Sequence, residues 1–233
     1  MSQQYMSTPI VSAASVSDRA LFIRNTFIHL GLAIFGFIAL EWALLQSVPA
    51  EVVFSLVKGK MWLVVLVAFM AVSWAANWMA SHEFSPSIQY AGLALYVGIE
   101  AIIFLPILTI ASKMSPLLIP AAGIITVVVT GLLMAIAFIT KKDFSFLKVG
   151  IVVGGFVALG VIVASAFMGF QLGIWFSAIM ILFASACVLF SLSNIIHQYR
   201  TTQHVAASLA LFASIALLFW YILSFLMSLT SRD

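Results

Sequence analysis

The sequence predicts an all-α integral membrane protein, a bundle of seven transmembrane helices, from three observations. Of its 233 residues, 64% are hydrophobic and only 7% are charged, whereas a soluble domain carries roughly 25% charged residues. The apolar windows are long and continuous and lack the ~10-residue alternation of barrel strands. The connections between them are too short to separate domains. Too little polar surface remains to cover the chain in water, so most of its solvent is lipid.

A bilayer core takes about 20 apolar residues as helix, and the windows fall at 25–46, 61–80, 90–112, 117–139, 147–168, 173–196 and 205–229. Ahead of the first stands MSQQYMSTPIVSAASVSD, without the basic start and apolar core of a signal peptide. The expected organisation is a polar cytoplasmic tail over 1–23 and a seven-helix domain over 24–233. Pro49 and Lys58–Gly59–Lys60 separate the first two spans, and SHEFSPS (Ser81 to Ser87) the next two. SKMSP (Ser112 to Pro116), KKDFS (Lys141 to Ser145), GFQLG (Gly169 to Gly173) and HQYRTTQH (His197 to His204) supply the remaining turns.

Charge sets the expected orientation. Arg19, Arg24, Lys141, Lys142, Lys148 and Arg200 lie on the side of the N-terminus, against Lys58, Lys60, Lys113 and Arg232 on the other. The excess favours an N-terminus in the cytoplasm. The basic residues are scattered between apolar blocks, which does not suit nucleic acid. The single cysteine, Cys187, excludes an intrachain disulfide or a cysteine-based metal site. GIVVG (Gly150 to Gly154) is a GxxxG, read as close packing within the bundle or as a dimer face. The tryptophans lie mostly toward span ends, as interfacial anchors do.

Acids inside the spans are few. Glu41 sits about one turn from the end of the first span, and Glu100 near the midpoint of the third, in 96-YVGIEAIIFLPIL-108. An ionisable residue at that depth is expensive and is a functional hypothesis by default. Glu100 is expected to face the interior or a water cavity; a protonated glutamate bonded to a neighbouring helix is the plainer alternative. His29, one turn into the first span, is either an interfacial histidine on a backbone carbonyl or a proton relay to Glu100. Pro106 cannot donate to Ile102, so a kink and a freed carbonyl are expected near Glu100. Cys187, Ser191 and Asn194 share one face of the sixth span, and Ser214, Tyr221, Ser224 and Ser228 follow a similar spacing in the seventh. They are pore-facing candidates or interhelical hydrogen-bonding groups. HExxH, GxSxG and a phosphate loop are missing, and no intramembrane aspartate exists for an aspartyl dyad. Neither an enzyme nor a cofactor is expected.

Three stretches resemble the Bax inhibitor-1/YccA (TMBIM) family: 24-RNTFIHLGLAIFGFIALE-41, 96-YVGIEAIIFLPIL-108 and 190-FSLSNIIHQYRTTQHVAASLALFASIALLFWYIL-223, with KKDFSFL before the fifth span. The resemblance implies a seven-helix bundle whose last two helices line a pore-like cavity, and a pH-sensitive calcium leak sensed by two aspartates. The matching positions are Ser191 and Ser214, so that latch does not carry over. The expected function is therefore a pH-sensitive cation leak, for Ca²⁺ or protons, gated through Glu100 with Glu41 and His29 secondary. Similarity to the bacterial YccA branch implies an alternative: a non-conducting modulator that restrains a membrane-anchored AAA protease through its N-terminal tail, in membrane-protein quality control or stress survival.

Overall fold

The computed structural model describes residues 9–59, 61–82, 85–170 and 172–231. Lys60, Glu83, Phe84, Gln171, Arg232 and Asp233, used in reading the connections and the charge bias, lie outside the described residues. A 3₁₀ turn, Val11–Ala13, leads into α1 (Val16–Ser47), α2 (Ala50–Val57), α3 (Met61–Ala80), α4 (Pro86–Met114), α5 (Leu118–Thr140), α6 (Leu147–Met168), α7 (Ile174–His197) and α8 (His204–Thr230). All but α2 are long and apolar enough to cross a membrane. Each covers one of the seven expected windows.

Two differences stand at the N-terminal half. The first helix begins at Val16, inside the expected 1–23 tail, because the Ser15 hydroxyl accepts from the Asp18 N–H at 3.1 Å and caps it. Residues 9–14 pack against the α7–α8 connection. Val11 is fully buried and its N–H donates to the Tyr199 carbonyl at 2.8 Å. Arg19 then donates to the Val11 and Ser12 carbonyls at 3.1 and 2.9 Å. Tyr199 is half-buried, and its partial burial pushes its phenol up to about 12. The second difference is α2, an eight-residue helix started by Pro49. Its apolar run is too short to span. It buries Val53, and Lys113 of α4 sits 4.9 Å from the centre of the Phe54 ring.

The core lies along α4 and α8. Of the most apolar window of α4, 61% is buried, against 11% for α3 and 6% for α6. Outward-facing side chains such as Leu32, Phe35, Val127, Phe156 and Leu182 are largely exposed and apolar, the surface that lipid covers. α3 crosses α4 at Gly92, where a Cβ would stand 2.6 Å from both the Ala76 carbonyl oxygen and the Ala80 nitrogen. Gly154 receives the Phe183 ring of α7, 2.8 Å from where its Cβ would be. That half of the GxxxG therefore serves packing inside the bundle. At the N-terminal end of α6, the Phe144 N–H donates to Ser193 of α7 at 2.9 Å. Ser145 donates to Asp143 through its hydroxyl and its N–H, which holds the Asp143 carboxyl below the usual carboxylate range.

Candidate functional site

α1, α4 and α8 run parallel, and ring contacts fix their register. His29 stacks on Tyr90 at 5.4 Å and meets His204 at 5.0 Å, near the end that carries the N-terminal segment. Further along, Phe37 meets Phe104 edge-on at 5.2 Å and Phe212 at 5.9 Å. Phe104 in turn contacts Phe219 at 5.8 Å and Trp220 at 5.0 Å. These rings form an aromatic layer across the bundle.

Glu100 is one turn before Phe104 on α4, and Glu41 is one turn beyond Phe37 on α1. Both are buried, with 5% and 4% exposure. Tyr96, one turn earlier on α4, is the polar neighbour of Glu100 on its own helix. The Glu100 Oε2 has no hydrogen-bond partner, and neither does either oxygen of Glu41. Glu41 was expected within reach of water near the helix end; the structure buries it.

Glu100 opens onto a cavity of about 200 Å³ between α3, α4, α6 and α8. Its walls are Trp62 and Phe69, Phe104, Ile162, Trp220 and Tyr221, with aliphatic side chains between them. This is an aromatic, apolar chamber and not the polar cavity facing Ser191, Asn194 and Ser214 that would join the expected pore residues. Trp62 and Trp220 stack at 6.4 Å, so these two belong to the interior. Trp42, Trp74, Trp78 and Trp175 are exposed, as anchors are. Helix α4 continues through Pro106 to Met114.

The expected polar face of α7 and α8 is divided. Ser191 and Ser214 hydrogen-bond each other at 2.8 Å, and Ser214 also donates to the Ala210 carbonyl. Around them Val188, Leu192, Leu211 and Leu218 are fully buried. Asn194 instead lines a hollow of about 560 Å³ with Ser145, Lys148 and Gln203. Cys187 is a half-buried free thiol. Ser224 and Ser228 donate back to carbonyls of their own helix. Neither the Glu100 cavity nor the Asn194 hollow is lined by Ser191 or Ser214.

His29 is placed by its Nδ1, 2.7 Å from the Asn25 carbonyl, the plainer of its two expected arrangements. It stands ten residues before the Glu100 level on α4, ~15 Å along the axis, and does not touch that acid directly. His204, not considered as an intramembrane imidazole, is its neighbour. Both stand beside a cavity of about 400 Å³ that Asp18, Asn25, Gln89, Tyr90 and His204 help to line. Among the described residues, no three His, Cys, Asp or Glu side chains converge as a metal site.

Similarity to known proteins agrees with this architecture. A Pseudomonas aeruginosa protein named Uncharacterized protein PA2604 is 41% identical over 90 residues, 37% of this chain and 39% of that protein. The chain thus spans well under half of that relative's length in the match. No solved structure matches. The profile of the family described as Inhibitor of apoptosis-promoting Bax1 matches residues 19–231. That match takes in all seven long apolar helices, and this multi-pass membrane protein belongs to the Bax inhibitor-1 family.

Proposed function

We infer that the chain is a pH-sensitive leak for protons, gated through Glu100, with its N-terminus in the cytoplasm of a bacterial inner membrane. The observation that carries this reading is the bare Oε2 of Glu100. A carboxyl at mid-helix with a bare oxygen and no ion pair among the described residues is costly to hold charged. Its charge state therefore depends on proton supply. The titratable groups facing it are phenols: Tyr96 on its own helix and Tyr221 from α8, while the cavity walls from α3 and α6 bring none. Glu41, one turn beyond Phe37 on α1, is a second acceptor, and His29 with His204 stands toward the N-terminal end of the bundle.

Calcium fits less well. Ca²⁺ takes 6–8 oxygen ligands, and Glu100 has one free oxygen in a ring-lined chamber. The Ser191–Ser214 pair is neutral and already satisfied, so it supplies neither charge nor pH sensitivity. The reading is non-enzymatic and needs no cofactor. The test is flux in proteoliposomes with a proton-sensitive and a calcium-sensitive dye. Proton flux without calcium flux is expected; equal calcium flux would overturn the assignment.

One observation favours the second reading, restraint of a membrane-anchored AAA protease. The N-terminal segment pairs with the α7–α8 connection through Ile10 and Arg200, and through the Thr201 N–H to the Pro9 carbonyl at 3.3 Å. A partner that seizes the tail would act directly on α7 and α8. Deleting residues 1–8 and following turnover of a protease substrate tests it. Unchanged turnover counts against a tail-mediated mechanism.

A further inference from the structure

A buried carboxyl with one bare oxygen can be satisfied from outside by a proton or by a cation, and its walls decide which cation fits. The Glu100 chamber is built from rings: Trp62 and Phe69 on α3, Phe104 on α4, Trp220 and Tyr221 on α8. Ring faces attract cations, tryptophan most strongly, and more so where water is excluded. The lining brings no second carboxylate and no basic side chain. A hydrated metal ion would have to exchange its water shell for one oxygen. A quaternary ammonium has no N–H and holds its water only weakly, and its alkyl groups suit indole and phenyl walls.

Access and size narrow the occupant further. The flanking helices α3 and α6 are the least buried of the seven spans. They make no substantial contact with each other, so the chamber's outer side lies toward lipid. At about 200 Å³ it is smaller than the roughly 300–1,000 Å³ of drug-sized sites. It takes an ammonium group and its first carbons, with the remaining chain left in the bilayer. Glu100 stands at mid-helix in α4, below the level at which phospholipid headgroups sit, so the source is a free lipophilic amine.

The geometry points to a binding site for a hydrophobic, monovalent organic ammonium ion that enters from the bilayer between α3 and α6, pairs its charge with Glu100 and rests against Trp62, Phe104 and Trp220. The site exists whether or not the chain conducts, and its test reads binding, not flux.

The experiment uses the full chain in lipid nanodiscs and radiolabelled dodecyltrimethylammonium, with empty nanodiscs as the partition control. Saturable binding above that control is expected. Glu100→Gln should weaken it about 10- to 100-fold, the usual worth of a buried charge-assisted contact. Glu51→Gln, at an exposed acid on α2, should leave it unchanged. Dodecanol should bind weakly and show no dependence on Glu100. Absence of saturable binding, or equal binding by the Glu100→Gln variant, overturns the proposal. Equal affinity for dodecylphosphocholine overturns it too, by assigning the site to a lipid headgroup. If Glu100→Gln does not assemble, Trp220→Leu carries the test. A fall in the ammonium-to-dodecanol affinity ratio supports the site, and an unchanged ratio sinks it.

Discussion

The α7–α8 seam and the pair of spans α1 and α4 both bury polar side chains, and they treat them in opposite ways. Ser191 and Ser214 bond each other, and Ser214 also reaches a carbonyl of its own helix. Glu41 has no hydrogen-bond partner for either oxygen, and Glu100 has none for Oε2. A hydroxyl is small and carries a donor, so it can turn back onto its own helix and disappear into the packing. A carboxylate only accepts, and an α-helix has no spare N–H to offer it in mid-span. Polar groups that satisfy themselves are structural. Acids that cannot be satisfied are retained against stability, and their retention is the argument for function.

The largest test of this contrast exchanges the two chemistries. Placing aspartates at both serine positions (Ser191→Asp with Ser214→Asp) puts two acids within hydrogen-bonding distance in a dry seam. They should share a proton, and a dry seam holds the protonated pair better than the ionised one, so stability should fall by several kcal/mol as pH rises and the pair ionises. Thermal unfolding in detergent across pH checks it; a melting temperature that does not fall with pH would show that the seam hydrates.

Next in size is removal of the unsatisfied acid. Glu100→Leu should stabilise the fold by about 1–4 kcal/mol, as apolar replacement of buried ionic groups often does. Destabilisation would show that the Tyr96 contact outweighs the bare oxygen. Ser191→Ala should have the opposite sign and a smaller size, a loss of about 1 kcal/mol, because Ser214 keeps its bond to Ala210. Smallest is Asp143→Asn in the α5–α6 connection. Its carboxyl is held low by Ser145, so its contribution is present above the ordinary carboxylate pKa and fades as pH falls through the depressed value. The variant should melt slightly below wild type at neutral pH and match it in strong acid, read from the same melts.

The sequence made the spans legible because lipid imposes a single rule, a run of apolar residues of fixed length. Glu100 was legible for the same reason, as a break in that rule. Tyr96 could have been read as its partner from the four-residue spacing in YVGIE. The cavity could not, since it joins Trp62 and Trp220 from helices far apart in sequence, and both resembled anchors by position. Helix α2 was hidden by its shortness. The packing of Val11 was hidden by the polar residues around it, which conceal one buried side chain in what reads as a tail. Gly92 carries no signal apart from the close approach of Ala76 and Ala80, visible only in three dimensions.

Proton flux through wild-type and Glu100→Gln protein, reconstituted side by side and measured across a pH range spanning neutrality, tests the central claim most directly. Wild-type flux should change with pH, and the variant, which keeps the shape of the side chain and loses its titration, should show a flat profile. The same pH dependence in both, or no flux in either, would contradict the assignment of Glu100 as the gate.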